Sequence, residues 1–504
     1  MRRQTLCGIR ATLAVTLFVS GDILTAADEQ SGAQQKRDAP AAGGNGVSEN
    51  ELATLPPEAL REKARQLIAQ KKVSDALQVY RLLVQRTPDS LPERRELASL
   101  LLQTGDVTGA VEQYNELIRR EPNDADAHHR LGVALSRLGK SSQGIGELVE
   151  ALRLKPDLVE ARKDLGSIYL AENRLMEASS LYGEAVRLRP EDADAHNDYG
   201  VVLVRLGDAE GAQTSFREAV RLNPKHVDAH YNLGLLRLQN WKLDDAIDHF
   251  TAALNLNPNY VDAVINLGRA LSRRGRHDEA RQQFEKAVER YPQLAEAHYE
   301  LAMELLLAGQ QKQALAQLGE ALRHNPRHAD AHRQVALAML ADNKAALALP
   351  QFRAVLRERP SDAQAHYELG RCLLRLGFYE GAIASFREAL RLHSDWPEAA
   401  NQLAWLLATA PEDQFRDGPE AVRLAGASLG IAERREPLFL DTLAAAKAEV
   451  GAFDEALAVQ ERAIEMSKRL GDVQLQAELQ KRTAAYRRKE PYREAPLAGA
   501  PSGR

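Results

Sequence analysis

The chain has 504 residues but little cysteine, few aromatics, no large charge imbalance and no apolar run long enough to span a membrane beyond its first residues. Cys7 and Cys372 are the only two cysteines, so no disulfide framework staples a small core. A formal charge of −5 is close to neutral for this length and gives no basic surface of the kind nucleic acid requires. Aromatics make up 5% of the chain, too few for a core built mainly on rings. There is no glycine-rich phosphate loop, no His-Glu-x-x-His helix and no Cys-His pair in a suitable context. The sequence therefore reads as non-enzymatic, with no catalytic residues, no cofactor and no metal site.

What is present is a period. Nine prolines stand 34 residues apart: Pro88, Pro122, Pro156, Pro190, Pro224, Pro258, Pro292, Pro326 and Pro360, with Ser394 in the tenth place. A fixed period of this length indicates a repeat array rather than one globular core. In a frame that puts the proline at position 32, position 8 is always Gly or Ala (Gly166, Gly200, Gly234, Ala302, Gly370), and so is position 20 (Ala178, Ala212, Ala246, Ala382). Position 24 is mostly aromatic, as in Tyr114, Tyr182, Phe216, Phe250 and Phe386. Apolar residues recur at three- and four-residue steps on both sides of a break near position 15, which describes two amphipathic helices. Gly or Asn at the break (Gly105, Asn173, Gly207, Gly275, Asn343) suits the left-handed turn that ends a helix. Proline at position 32 stops the second helix, because it lacks an N–H and restricts its predecessor.

Leu-Gly at 7–8, Ala at 20, Phe or Tyr at 24 and Pro at 32 resemble the tetratricopeptide repeat. The resemblance implies an all-α, right-handed α-solenoid of about twelve helix-turn-helix repeats with a C-terminal capping helix. Such an array has no single core to outgrow, since each unit packs on its neighbours.

Six segments follow. Residues 1–27 read as a secretory signal: Arg2, Arg3 and Arg10, then an apolar stretch from Ala11 to Ser20, then Thr25-Ala26-Ala27. The apolar stretch is shorter than the roughly 20 residues of a membrane span, with an uncleaved anchor as the alternative. Export to the periplasm or beyond is expected, and any membrane contact would come through this segment alone. Residues 28–56 read as a disordered linker. Residues 57–396 hold ten regular repeats, and 397–470 two divergent ones with an insertion around Pro411–Gly418. Residues 471–488 form a capping helix, and 489–504 a disordered tail. The stretch from 403 onward also resembles the closing segment of many bacterial tetratricopeptide proteins, some of which attach it to membrane glycosyltransferase domains. Here only the capping role carries over.

In this family the first helices line a concave groove through positions 2, 5, 9, 12 and 13. Those positions hold Arg137, Lys163, Arg205, Tyr231, Arg269, Arg273, Tyr299, Arg333, Tyr367, Arg371 and Arg375, the expected partner-binding set. Arginine pairs with carboxylates and tyrosine offers flat contact area, so the expected partner is a protein or peptide segment of acidic character. An anionic polysaccharide is the alternative partner, and an accessory role beside a separately encoded glycosyltransferase a third reading. Acids at position 2 (Asp126, Glu160, Asp194, Asp228, Asp262, Glu296, Asp330) read as complements to the helix dipole. Histidine at position 4 (His128, His196, His230, His298, His332, His366) reads as structural. Pro326 separates His324 from His328, so this spacing is not read as a metal site.

Overall fold

The computed structural model describes Leu52, residues 54–431 and residues 437–495. The signal-like segment, most of the linker and residues 496–504 of the tail lie outside the described residues. Among the described residues there are twenty-five α-helices, one short 3-10 turn and no strand. The chain divides into two compact units between Arg276 and His277, inside the seventh repeat.

The first unit carries α1 (Pro57–Ala69) to α13 (Val261–Arg273), and the second α14 (His277–Arg290) to α25 (Val473–Arg487). Most first helices have 13 residues and most second helices 14, while Ala193–Leu206 has 14, Phe453–Leu470 18 and Val473–Arg487 15. Gly105, Gly139, Gly207, Gly275, Gly309 and Gly377 take positive φ at the turn inside each pair, as do Asn173 and Asn343. Two residues break that rule. Lys71 (φ 57°) and Trp241 (φ 56°) occupy the same left-handed position with a full side chain. A bulky residue there is uncommon and strained.

The small residue at position 8 is a matter of close approach. A Cβ on Gly234 would come within 2.7 Å of the Phe250 ring, and one on Gly200 within 2.6 Å of Phe216. The helices of one pair meet where the position-24 ring lies against the position-8 backbone. Phe216, Phe250, Phe352 and Phe386 are fully buried there.

Position 4 shows why the histidines recur. Proline ends each second helix and leaves its own carbonyl without a helical partner. The Nε2 of His196, His298, His332 and His366 lies 2.9–3.0 Å from the carbonyl of Pro190, Pro292, Pro326 and Pro360 respectively. Arg94 donates to the Pro88 carbonyl in the same way, at 2.8 Å. The other ring nitrogen, Nδ1, meets position 23: His298 with Gln317 and His332 with Gln351, both at 2.6 Å. The structural reading of these histidines follows from this geometry.

The closing end carries helix α21 (Pro397–Thr409), the turn Asp413–Phe415, α22 (Gly418–Ile431), α23 (Pro437–Glu449), α24 (Phe453–Leu470) and α25. Residues 489–495 of the segment assigned to the tail are among the described residues. Residues 489–495 have no helix, yet Tyr492 packs on the terminal apolar cluster and the Glu494 N–H donates to the Thr409 carbonyl at 2.9 Å. The unpaired carbonyls at the end of α21 and the apolar ring of Tyr492 supply the reason. At the other end Leu52 and Leu55, assigned to the linker, pack on the first repeats.

Candidate functional site

The predicted partner-binding residues fall into three groups. The first is spent on the junction between repeats. Position 5 of one repeat lies over the residue just before the next first helix, 29 residues on. Lys163 Nζ is 3.1 Å from Asp192, and Arg333 pairs with Asp362. Where position 5 is tyrosine the pair is aromatic: Tyr231 with Tyr260 at 4.8 Å, Tyr299 with His328 at 4.7 Å and Tyr367 with Trp396 at 4.7 Å. Asp192 and Asp362 also accept from the N–H of Ala195 and Ala365, capping the helix that follows.

A second link runs 35 residues forward, from position 5 to position 6. Asn232 Nδ2 donates to Asn197 Oδ1 at 3.0 Å, and Asn266 Nδ2 to the Tyr231 hydroxyl at 3.1 Å. Arg333 Nε is 3.5 Å from Glu368, whose carboxyl burial raises above the usual range. These side chains hold one repeat to the next, a role that the sequence did not separate from ligand contact.

The second group caps helix ends. Arg205 donates to the Leu170 carbonyl at 2.8 Å and to Asn173 Oδ1 at 2.7 Å, and Arg375 donates to the Leu340 carbonyl at 2.6 Å. A guanidinium at a helix C-terminus meets both unpaired carbonyls and the negative end of the dipole.

In the third group Arg137 and Arg273 are exposed, and Arg269 and Arg371 half-buried. Arg371 lies over the Tyr367 ring at 5.7 Å, and Arg137 is exposed; neither has a carboxylate within ion-pair distance among the described residues. Arg273 lies over the Trp241 ring at 5.8 Å, and Arg269 is half-buried, its charge acting on Asp262. Trp241 itself is 71% exposed and was missed by the sequence reading. The signal that could have found it is its position, since almost every other repeat carries Gly or Asn there.

The position-2 acids do more than face the dipole. Glu160 pairs with Arg189 and Asp330 with Arg359, both at 2.7 Å, and Asp194 lies 3.2 Å from His226. The hydrogen bond from Arg189 holds Glu160 below the usual carboxylate range, and that from His226 does the same for Asp194. These acids join the loop at the end of their own repeat.

Two further motifs can be placed. Gly426-Ala427-Ser428-Leu429-Gly430 spells Gly-x-Ser-x-Gly. It lies within α22, where Ser428 is fully buried and its Oγ donates to the Ala425 carbonyl at 2.9 Å, so the serine is not presented on a nucleophile elbow. Among the described residues no group of three His, Cys, Asp or Glu side chains could hold a metal ion. His324 stacks on His298 at 5.9 Å, while His328 accepts from the Ala331 N–H, which takes the two in different directions. Cys372 is buried, its Sγ 3.2 Å from the Ala345 carbonyl, and burial raises the thiol to about 11.

Paired helices, with side chains linking each pair to the next, define a class: an array of helix-turn-helix repeats. The tetratricopeptide repeat profile matches residues 202–261, 231–295, 265–316 and 336–395, and a second TPR repeat profile matches 98–139 and 166–207. The two together reach about half of the chain, and the chain belongs to the tetratricopeptide repeat family. It is in general terms a protein–protein interaction scaffold that takes peptides or proteins, and repeat proteins of this kind are generally not enzymes.

Solved structures that resemble it include YrrB, described as a TPR protein with an unusual peptide-binding site (24% identity, TM-score 0.33, 37% of this chain and 97% of that one). PilF of Pseudomonas aeruginosa is similar at 24% identity and TM-score 0.37, over 41% of this chain and 94% of its own. Yeast Tom70 is similar at 16% identity and TM-score 0.33, over 86% of this chain and 96% of its own. No curated protein matches the sequence significantly.

Proposed function

We propose that this chain is an exported scaffold whose first-helix faces grip an extended, acidic segment of a protein partner and so organise an envelope complex. The observation that carries the reading is Arg371, whose guanidinium lies over the Tyr367 ring with no carboxylate in ion-pair reach among the described residues. A cation supported on a ring keeps its N–H donors for a carboxylate, and a forked pair with Arg adds orientation as well as attraction. Arg137 offers the same charge in the first unit. Lys163 and Arg333 stiffen the wall instead, and a wall fixed beforehand loses less freedom on binding. Export rests on the basic and apolar start of the sequence, Arg2 to Ser20.

Affinity capture from envelope extracts, followed by titration of the recovered partner, tests this. Arg371→Glu together with Arg137→Glu is expected to weaken the partner at least tenfold while leaving the melting temperature unchanged. Unaltered affinity removes the basic face from the reading. If the ligand is an anionic polysaccharide rather than a peptide, its binding falls steeply with salt and is lost at high ionic strength.

A further inference from the structure

We infer that the last repeats carry a second peptide-binding face, and that its resident ligand is the chain's own segment Pro491–Glu494. The segment has no helix or strand and touches α21, α23 and α25. Its contacts are those of a bound peptide: one main-chain hydrogen bond, one aromatic contact and two charged anchors. The Glu494 N–H donates to the Thr409 carbonyl at 2.9 Å, and the Trp405 indole N–H donates to Glu494 Oε1 at 2.7 Å. Tyr492 lies 6.0 Å from the Trp405 ring, and the Arg482 guanidinium stands 4.9 Å from Trp405 and 5.0 Å from Tyr492. Arg493 reaches Glu449 at 2.6 Å, a carboxylate that Arg416 holds from its other side at 3.1 Å.

The places touched matter as much as the contacts. Trp405 is at position 9 of its first helix, Thr409 at position 13 and Glu449 at position 13 of the next. These are among the positions that the resemblance to the repeat family implies for ligand contact. A face that reads aromatic, basic and acidic residues in that order on its own chain reads the same order on another. Tethering keeps the segment in place, since a short flexible link supplies an effective concentration of the order of millimolar. The end of the array is therefore closed by a cis ligand and opens to a trans segment of the same chemistry. This face shares no residue with Arg137 or Arg371, so it and the proposed function can fail separately.

The test uses the full chain and a labelled synthetic peptide with the sequence of residues 490–497, EPYREAPL. In the parent the tethered copy competes, and the peptide binds weakly. In the variant Tyr492→Ala with Glu494→Gln the face is vacated, and the peptide is expected to bind at least about tenfold tighter. Adding Trp405→Phe, which removes the indole N–H and keeps a ring, is expected to reverse that gain. Helicity by circular dichroism accompanies each variant, and Glu494→Gln alone serves if the double variant loses structure. Equal peptide affinity for parent and vacated chain overturns the proposal. So does tight binding that Trp405→Phe leaves untouched, or a folded, vacated chain that takes no peptide, which would make the segment a fixed cap.

Discussion

The sixth repeat and the closing end use the same helix pair in different ways. In and beside the sixth repeat the long-range polar contacts span 24 to 35 residues, as in Arg237 with Gln213, Asp228 with Tyr260, Asn197 with Asn232 and Tyr231 with Asn266. At the closing end they span 41, 85 and 89 residues, through Arg482 to Asp441, Arg493 to Ala408 and Trp405 to Glu494. An interior repeat is covered by its neighbour, so local links suffice. The last repeat is followed by the capping helix α25, and residues 492–494 return to α21 and α23. Stability in the array is thus set pair by pair, while at the end it depends on closing a long loop.

The strongest way to sharpen that contrast is to overpack one interior pair. Gly234→Leu drives a side chain into the Phe250 ring and is expected to cost about 1–3 kcal/mol, read as a fall in melting temperature. Gly319→Ala is the control. A Cβ there meets nothing within 4 Å, so the change should be neutral or slightly stabilising through helix propensity. Equal melting points for Gly234→Leu and the parent would contradict the close-approach argument.

Acidification should move the two regions in opposite directions. His230 and His249 face each other Nδ1 to Nδ1 at 3.2 Å in the sixth repeat. Burial lowers both, His249 from 6.5 to about 4, with Arg237 and the partner histidine adding to it against Asp245 and Asp248. The unfolded chain protonates first, so this contribution is complete above pH 6.5 and is lost progressively toward pH 4. At the closing end burial raises Asp441 from 3.8 to about 6, opposed by Arg482 and Gln460. There the folded state protonates first, and the end gains stability as the pH falls from 6 to about 4. Hydrogen exchange corrected for intrinsic rates should show protection falling in 243–256 and rising in 437–449 between pH 7 and pH 5. His249→Gln and Asp441→Asn should each flatten its own region. A uniform change along the chain would erase the distinction.

The smallest expected effect is at Trp241. Relief of the left-handed strain is worth about 1–3 kcal/mol, and loss of the contact with Arg273 costs about 0.5–1 kcal/mol. Trp241→Gly should therefore keep or slightly raise the melting temperature. A clear fall would show that the exposed ring stabilises the fold, leaving no reason to regard it as a surface for partners.

Most of the fold was legible because the period repeats its own evidence. Each proline, small residue and ring is seen in nearly every unit, and the histidines at position 4 recur for the same local reason. The site was less legible. Whether Lys163 meets a ligand or Asp192 depends on how far apart two first helices stand, which no single repeat encodes. Tyr367 and Arg371 are four residues apart on one helix, so their contact was within reach of the sequence. Trp405 and Glu494 are not, because their meeting depends on the whole length of chain between them.

The 35-residue links also mean that the units are not interchangeable. Cutting out the stretch 227–260 would bring Asn197 to Asn266, and an amide would still face an amide. Cutting out 329–362 would instead bring Tyr299 to Glu368, a carboxylate only 5% exposed that would have lost Arg333. Shortening this protein by one module is thus tolerable at some joints and ruinous at others, and the side chain at position 6 tells which.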